Sequence, residues 1–361
     1  MHQFDYINAP QSLLVPEIVR PLVRLYESKG RQSLYVENAS DVLRALVGQA
    51  QQQSALSASE MAAGHGIRGG LAKSEYAELE MAGYQRALRN IYDNFSITPV
   101  TPDSIRMLHC EVFRDVPGVE GGKMKLTNPV LTETLDDGTQ LVRFTTVEAA
   151  DAMTALEALC RRFNDAVALA TYPPMLLIPM FTLDFLCIRP FENGNGRVGR
   201  LMSLLLLYKS GFIAGKYISM EKLVGESREA YYDALRRSTV GWHDNVNTYV
   251  PFVSYFMSLV SQIYAELDER IATLQRGKVS KADRIRDVFD RRDGRIRKQD
   301  IASYCPDISI PTIERVLGEL VASGYISKVG NARATYYMKK NEIENQYNKE
   351  QNDNGKDSSA R

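Results

Sequence analysis

The sequence predicts a mainly α-helical protein: a helical bundle with one β-hairpin flap, followed by a C-terminal winged helix-turn-helix. Three observations carry this. Apolar residues recur at three- and four-residue spacing along most of the chain. One stretch, Asn128–Thr146, changes to β-prone runs. After Leu274, three helical patterns precede two short strand patterns.

Helical periodicity covers Ser12–Tyr26, Ser40–Gln52, Tyr76–Tyr92, Pro102–Phe113, Val147–Ala168, Met175–Ile188, Val198–Ser210, Arg228–Ser238 and Val250–Leu274. Within the β-prone stretch, Val130–Leu135 and Thr139–Phe144 flank Asp136-Asp137-Gly138, a sequence suited to a hairpin turn. A lone hairpin is marginal unless it packs, so this one is either a decorative loop or a flap over a site. Residues 275–278 read as a linker. Lys281–Phe289, Arg297–Tyr304 and Ser309–Ser323 are the next predicted helices, with Pro311 suited to a first turn and Gly324 to a helix end. Strands Tyr325–Val329 and Ala334–Met338 follow around Gly330-Asn331. The polar stretch 341–361 has too little to bury and is expected to be disordered. The expected domains are a helical region at 1–100, a core at 101–274, the winged helix at 279–340 and that tail.

With 361 residues, 44% of them hydrophobic, the chain can build two or three packed domains. A formal net charge of +0 provides no global field to recruit nucleic acid or a membrane. No apolar run is long enough to span a bilayer, and the first twenty residues lack the pattern of a secretory signal. Cys110, Cys160, Cys187 and Cys305 are scattered without CxxC spacing, so reduced thiols in a cytoplasmic protein are expected.

The chemistry begins at Gly194-Asn195-Gly196. Two glycines around one residue let consecutive backbone N–H groups point one way, and a helix from Val198 adds its positive dipole end. Arg197 and Arg200 stand three apart and can face the same anion with forks that match phosphate oxygens. Phe191 would pack down and anchor the loop.

Together with Arg189-Pro190-Phe191-Glu192-Asn193, the string resembles the signature of the Fic (Fic/Doc, Fido-fold) family, His-Pro-Phe-x-Asp/Glu-Gly-Asn-Gly-Arg-x-x-Arg. The likeness extends to Leu177–Phe181 and Phe185–Ile188 before the loop, and to Lys216–Lys222, Tyr231–Leu235 and Trp242-His243-Asp244 after it. It runs from Ser33 to Met338, and the C-terminal unit is similar to the winged helix of a bacterial subgroup. The resemblance implies a Fic/Fido bundle that transfers AMP from ATP to a protein Ser, Thr or Tyr hydroxyl. It implies a signature His as general base and an acidic residue holding Mg²⁺. It assigns nucleotide binding to Phe191, Asn193, Gly194, Asn195, Gly196, Arg197, Arg200, Tyr231 and Tyr232, and target positioning to the 128–146 flap.

Three positions depart from that pattern. Arg189 stands where the general base belongs, and a guanidinium stays protonated at any working pH. Asn193 stands at the metal position, where an amide oxygen brings no charge and makes Mg²⁺ doubtful. Many family members also carry an inhibitory helix, Ser/Thr-x-x-x-Glu-Gly/Asn, whose Glu pairs with the second signature Arg. The matching residues here are Ser59, Ala63 and Gly64, with Ala63 at the Glu position. Either Glu60 substitutes, or Arg200 is left without its brake.

The winged-helix segment Ser280–Lys340 holds 13 Lys/Arg against 8 Asp/Glu, so it is locally basic. On a DNA-binding reading, Thr312 and Arg315 face the major groove and Lys328 and Arg333 sit on the wing. On the bland reading it is a packing or dimerisation module, which Glu314 and Glu319 favour. Three functions follow as alternatives: a catalytically impaired Fic protein that acts by binding, an active adenylyltransferase or related phosphate-group transferase, and a DNA-binding regulator with a ligand-sensing Fic body. Candidate partners are ATP or another nucleotide, a protein at the flap, DNA, and a second copy of the chain.

Overall fold

The computed structural model describes residues 2–38, 40–62, 73–134, 139–275, 280–330 and 335–340. Its chain order is α1 (Pro16–Asn38), α2 (Ser40–Ala62), α3 (Lys73–Asn94), α4 (Pro102–Phe113), β1 (Val130–Thr134), β2 (Gln140–Thr145), α5 (Ala152–Leu169), α6 (Pro174–Ile188) and α7 (Asn195–Lys209). Then come α8 (Met220–Glu226), α9 (Arg228–Thr239), α10 (Val250–Gln275), α11 (Lys281–Arg291), α12 (Lys298–Tyr304), α13 (Ile310–Ala322), β3 (Ile326–Val329) and β4 (Tyr336–Lys339). The mainly helical class expected from periodicity is what the chain adopts. Among the described residues no helix is long and apolar enough to cross a membrane.

The chain divides into two units, one of residues 1–34 and 47–265, the other of residues 35–46 and the chain from Glu266 onward. In the first, α6 is the central rod: every residue from Met175 to Ile188 is buried. A helix apolar all round has to be covered on every side, and α5, α7 and α9 pack on it. Pro174 opens α6 in its first turn, where a missing N–H costs nothing. Strands β1 and β2 pair antiparallel, with a register shift between Leu131 and Thr132. The turn expected at 136–138 lies outside the described residues.

The second unit has its own core, built from Ile285, Val288 and Phe289 of α11, Ile301 and Tyr304 of α12, Ile313, Val316 and Leu317 of α13, and Ile326 of β3. Strands β3 and β4 form an antiparallel pair, extended by a bridge between Ile296 and Tyr337. Helix α13 opens with a proline in its first turn, and Gly324 beyond its end adopts φ +71°.

One residue of α6 contradicts its surroundings. Asp184 is fully buried and accepts hydrogen bonds from Tyr6 Oη (2.6 Å), Trp242 Nε1 (2.8 Å) and Tyr249 Oη (3.0 Å). His2 stacks on Trp242 and lies 3.8 Å from the same carboxylate. Burial pushes Asp184 up to about 7 and His2 down to about 4. The two effects oppose each other. Between pH 4 and 6.5 the folded pair carries one proton on Asp184, whereas the unfolded pair carries one on His2, so their joint contribution to stability is flat. Removing His2 exposes the Asp184 contribution, which is full below its unfolded pKa and lost as pH rises through 7. In His2→Phe, stability relative to the parent is therefore expected to fall as pH rises from 4.5 to 6.5, with a slope approaching 1.4 kcal/mol per pH unit (an order-of-magnitude limit, ~1 proton). Urea denaturation at three pH values measures it, and parallel curves for the two proteins would refute it.

Candidate functional site

The loop between α6 and α7 is fixed from below. Phe191 is fully buried and stacks on His109 of α4 at 4.0 Å between ring centres. The Asn195 amide closes the loop on itself: Phe191 N–H donates to Oδ1 (3.0 Å) and Nδ2 donates to the Phe191 carbonyl (2.6 Å). Gly194 has φ +74°, and a Cβ there would meet the Phe113 ring at 2.3 Å, so this position requires glycine. Helix α7 begins at Asn195, three residues before the start the sequence suggested. The reason is that Gly194 itself serves as the N-cap in the left-handed region. The free N–H groups of the first turn therefore belong to the Gly-Asn-Gly segment and its arginine.

The flap is tied to this loop. Lys125 is buried, its backbone N–H donates to the Pro190 carbonyl, and its ammonium donates to Thr146 Oγ1 and to the Val147 and Ile188 carbonyls. Burial, reinforced by the charge of Arg189, pushes Lys125 down to about 8. Glu192 accepts from Leu126 N–H (2.6 Å), Thr127 N–H (3.0 Å) and Thr127 Oγ1 (2.9 Å).

Above the loop lies a cavity of about 780 Å³, inside the range of ligand pockets. Its wall includes Ser59, Arg189, Asn193, Gly194, Asn195, Gly196, Arg197, Arg200, Tyr231 and Tyr232. Leu131, Thr132, Arg143 and Phe144 of the flap also line it, as does Glu80. The expected nucleotide residues are thus brought together, with Phe191 beneath rather than in the wall. Ala63 and Gly64 lie outside the described residues.

Two carboxylates in the site were not legible as partners. Arg200 does not stand without a partner: its Nε donates to both Glu221 oxygens, at 2.8 and 2.7 Å, and Tyr84 Oη donates to the same carboxylate. Burial opposes the Arg200 charge, but Glu221 outweighs it and holds the guanidinium above its usual range. Glu60 does not substitute for the missing brake; it is exposed on α2, because the stripe that faces inward there runs through Ala55, Ala58 and Met61. Arg197 lies 2.6 Å from Glu80 of α3 in an ion pair that is out of line for a hydrogen bond, and its guanidinium covers the Phe113 ring.

Arg189 is different. It caps the C-terminus of α6 with a left-handed backbone, φ +46°, unusual for a residue with a side chain. Its Nε is closed off from solvent without a hydrogen-bond partner, and among the described residues it makes no ion pair. Burial lowers its pKa, with Tyr232 and Tyr231 opposing.

No other described histidine takes the role of base. His109 Nδ1 accepts from Gly122 N–H, so Nε2 donates to the Asn193 carbonyl, and burial pushes the ring down to about 4. His2 is held at Trp242 and His243 at the Thr145 carbonyl. A carboxylate-held magnesium ion does not fit either. Asn193 offers a neutral oxygen, the carboxylates of Glu80 and Glu192 are engaged, and no cluster of three acidic, histidine or cysteine ligands occurs among the described residues.

Residues 99–207 match the model of the Fic/DOC family. The chain carries a Fic family domain. Protein adenylyltransferase fic-1 of Caenorhabditis elegans is 27% identical over 170 residues, 45% of this chain and 29% of the worm protein, so the match spans under a third of that relative. A Fic family protein from Desulfovibrio desulfuricans G20 superposes with a TM-score of 0.53 at 18% identity, covering 90% of this chain and 96% of the other. The structure of worm Fic-1 residues 134–508 gives 0.51 at 20% identity, covering 68% and 71%. At these identities the two structures establish the fold. The family match ends within α7, so Tyr231 and Tyr232, which line the cavity, and Glu221, which bonds Arg200, lie beyond it.

In the second unit one DNA-facing candidate, Arg315, has an acidic partner, as does the neighbouring Lys298. Arg315 pairs with Glu319, Lys298 pairs with Glu314, and Thr312 Oγ1 shares a hydrogen bond with Ser309 Oγ. Lys328 is exposed on β3, and Arg333 lies outside the described residues.

Proposed function

We propose that this Fic-domain protein binds a nucleotide through the α7 loop and acts by that binding, its adenylyl-transfer chemistry impaired. One observation carries the reading: the cavity wall that holds Gly194, Asn195 and Gly196 has Arg189 at the position of the base. A positioned base supplies roughly 10²–10⁴ in rate, and a fixed cation cannot accept the hydroxyl proton. The flap supports a polypeptide partner, because β1 and β2 form a two-stranded sheet with exposed Val130, Leu141 and Val142. For the second unit, the Arg315–Glu319 and Lys298–Glu314 pairs favour a packing module over a DNA reader.

ATP titration followed by thermal unfolding tests the binding. Stabilisation is expected with and without Mg²⁺, since Asn193 offers only a neutral oxygen and the loop-side carboxylates Glu80 and Glu192 are engaged. Glu80→Gln should lower the ligand-free Tm, because Arg197 loses its counter-charge. The same change should tighten ATP by about tenfold, about 1.4 kcal/mol, because that guanidinium becomes available. No ATP-dependent shift in either protein would refute nucleotide binding.

A further inference from the structure

We propose that Arg189, rather than Arg197 or Arg200, is the first seat for a phosphate group in this cavity, so that a nucleotide or free pyrophosphate docks its anionic end against the former base position. This deepens the nucleotide-binding reading and rests on it. Charge around the cavity is unevenly matched. Of the arginines that line the cavity, Arg189 stands in the loop and Arg197 and Arg200 on the first turns of α7. Arg197 is neutralised by Glu80 at 2.6 Å and Arg200 by Glu221 at 2.7 Å, each within a buried pair. An incoming anion must displace a carboxylate there or sit beside one. Among the described residues Arg189 has no such partner, and its Nε is shielded from water that would otherwise satisfy it.

The neighbourhood adds to the imbalance. Lys125, a buried cation that feels the charge of Arg189, spends its hydrogen bonds on neutral oxygens of Thr146, Val147 and Ile188. Glu192 is the nearby counter-charge, and it is held by the backbone of residues 126 and 127. On the far wall Glu229 and Asp233 belong to α9; Glu229 is exposed and Asp233 is engaged by Arg236 and Arg237. The first turn of α7, whose N–H groups lack intrahelical partners, lines the same cavity. A group with several anionic oxygens can therefore meet a planar guanidinium fork on one side and a helix N-terminus on the other.

Isothermal titration of the full chain with inorganic pyrophosphate, ATP and adenosine tests this, using Arg189→Gln, Arg189→Asn and Arg197→Gln. Both Arg189 variants are expected to weaken pyrophosphate and ATP by tenfold or more, and Arg197→Gln by less than threefold; adenosine should be indifferent to all three. Asn tolerates the left-handed backbone, and losing a half-buried cation with a shielded, unbonded Nε should leave the ligand-free Tm unchanged or higher, which a structural role for Arg189 would not. Pyrophosphate dependence identifies the phosphate chain itself as what is read, whereas dependence confined to ATP identifies the nucleotide. Arg189 variants that bind both phosphates within twofold of the parent would overturn the seat while leaving nucleotide binding intact. A parent protein that binds neither phosphate ligand would overturn both.

Discussion

Arg189→His combined with Asn193→Asp is expected to raise self-labelling by radiolabelled ATP and Mg²⁺ at least 100-fold above the parent, whose labelling should stay at background. The first change returns a group that can take a proton near neutral pH. The backbone is already suited to it: at φ +46° histidine is several-fold commoner than other residues with side chains. The second change adds a carboxylate where the parent offers an amide, so that a metal ion could be shared with the nucleotide phosphates. Arg189→His alone should give a weaker signal, and Asn193→Asp alone should stay inert because the metal ligand does not replace the base. Strong labelling of the parent, lost in Arg197→Ala, would refute the impaired reading outright. If the double variant binds ATP yet stays inert, and Glu80→Gln added to it changes nothing, the obstacle lies at the flap.

How far the site could be read in advance depended on whether its parts were local. The phosphate loop was legible because its geometry is set within a dozen residues: a left-handed Gly194, an Asn195 amide that bonds Phe191, and arginines one helical turn apart. The partners of those arginines were not, because Glu80 comes from α3 and Glu221 from α8, and periodicity does not say which carboxylate meets which cation. A signal did exist for Glu80. In α3 the inward stripe runs Tyr76, Glu80, Tyr84, Ala87, Leu88 and Ile91, with the glutamate at helical spacing inside an apolar row. A polar residue in such a row is the informative exception. Asp184, the one charged residue of α6, is a second case of the same signal. In the second unit the basic excess was visible, but a count of charges could not foresee that Arg315 and Lys298 would each face a glutamate.

Glu221→Ala is expected to cost about 3–5 kcal/mol, because it strands the Arg200 guanidinium in a dry interior. The wild-type carboxylate is fully buried and takes bonds from Arg200 of α7 and Tyr84 of α3. It projects from the first turn of α8, whose N-cap Ser219 accepts from Lys222 N–H and shares a hydrogen bond with Ser54 of α2. Three helices thus meet at one acid. For a unit of this size the expected loss corresponds to a Tm drop of roughly 10 °C. The cost should come mainly from the orphaned charge, so replacing both members of the pair with apolar residues of similar volume, Arg200→Met with Glu221→Met, should be milder than Glu221→Ala alone. Chemical denaturation of the three proteins decides it: a Glu221→Ala loss below 1 kcal/mol would mean that Arg200 relaxes to solvent or to the cavity. Should the double variant keep the ATP-induced Tm shift, phosphate binding does not depend on Arg200, as expected if that arginine is committed to holding the helices together while Arg189 faces the ligand.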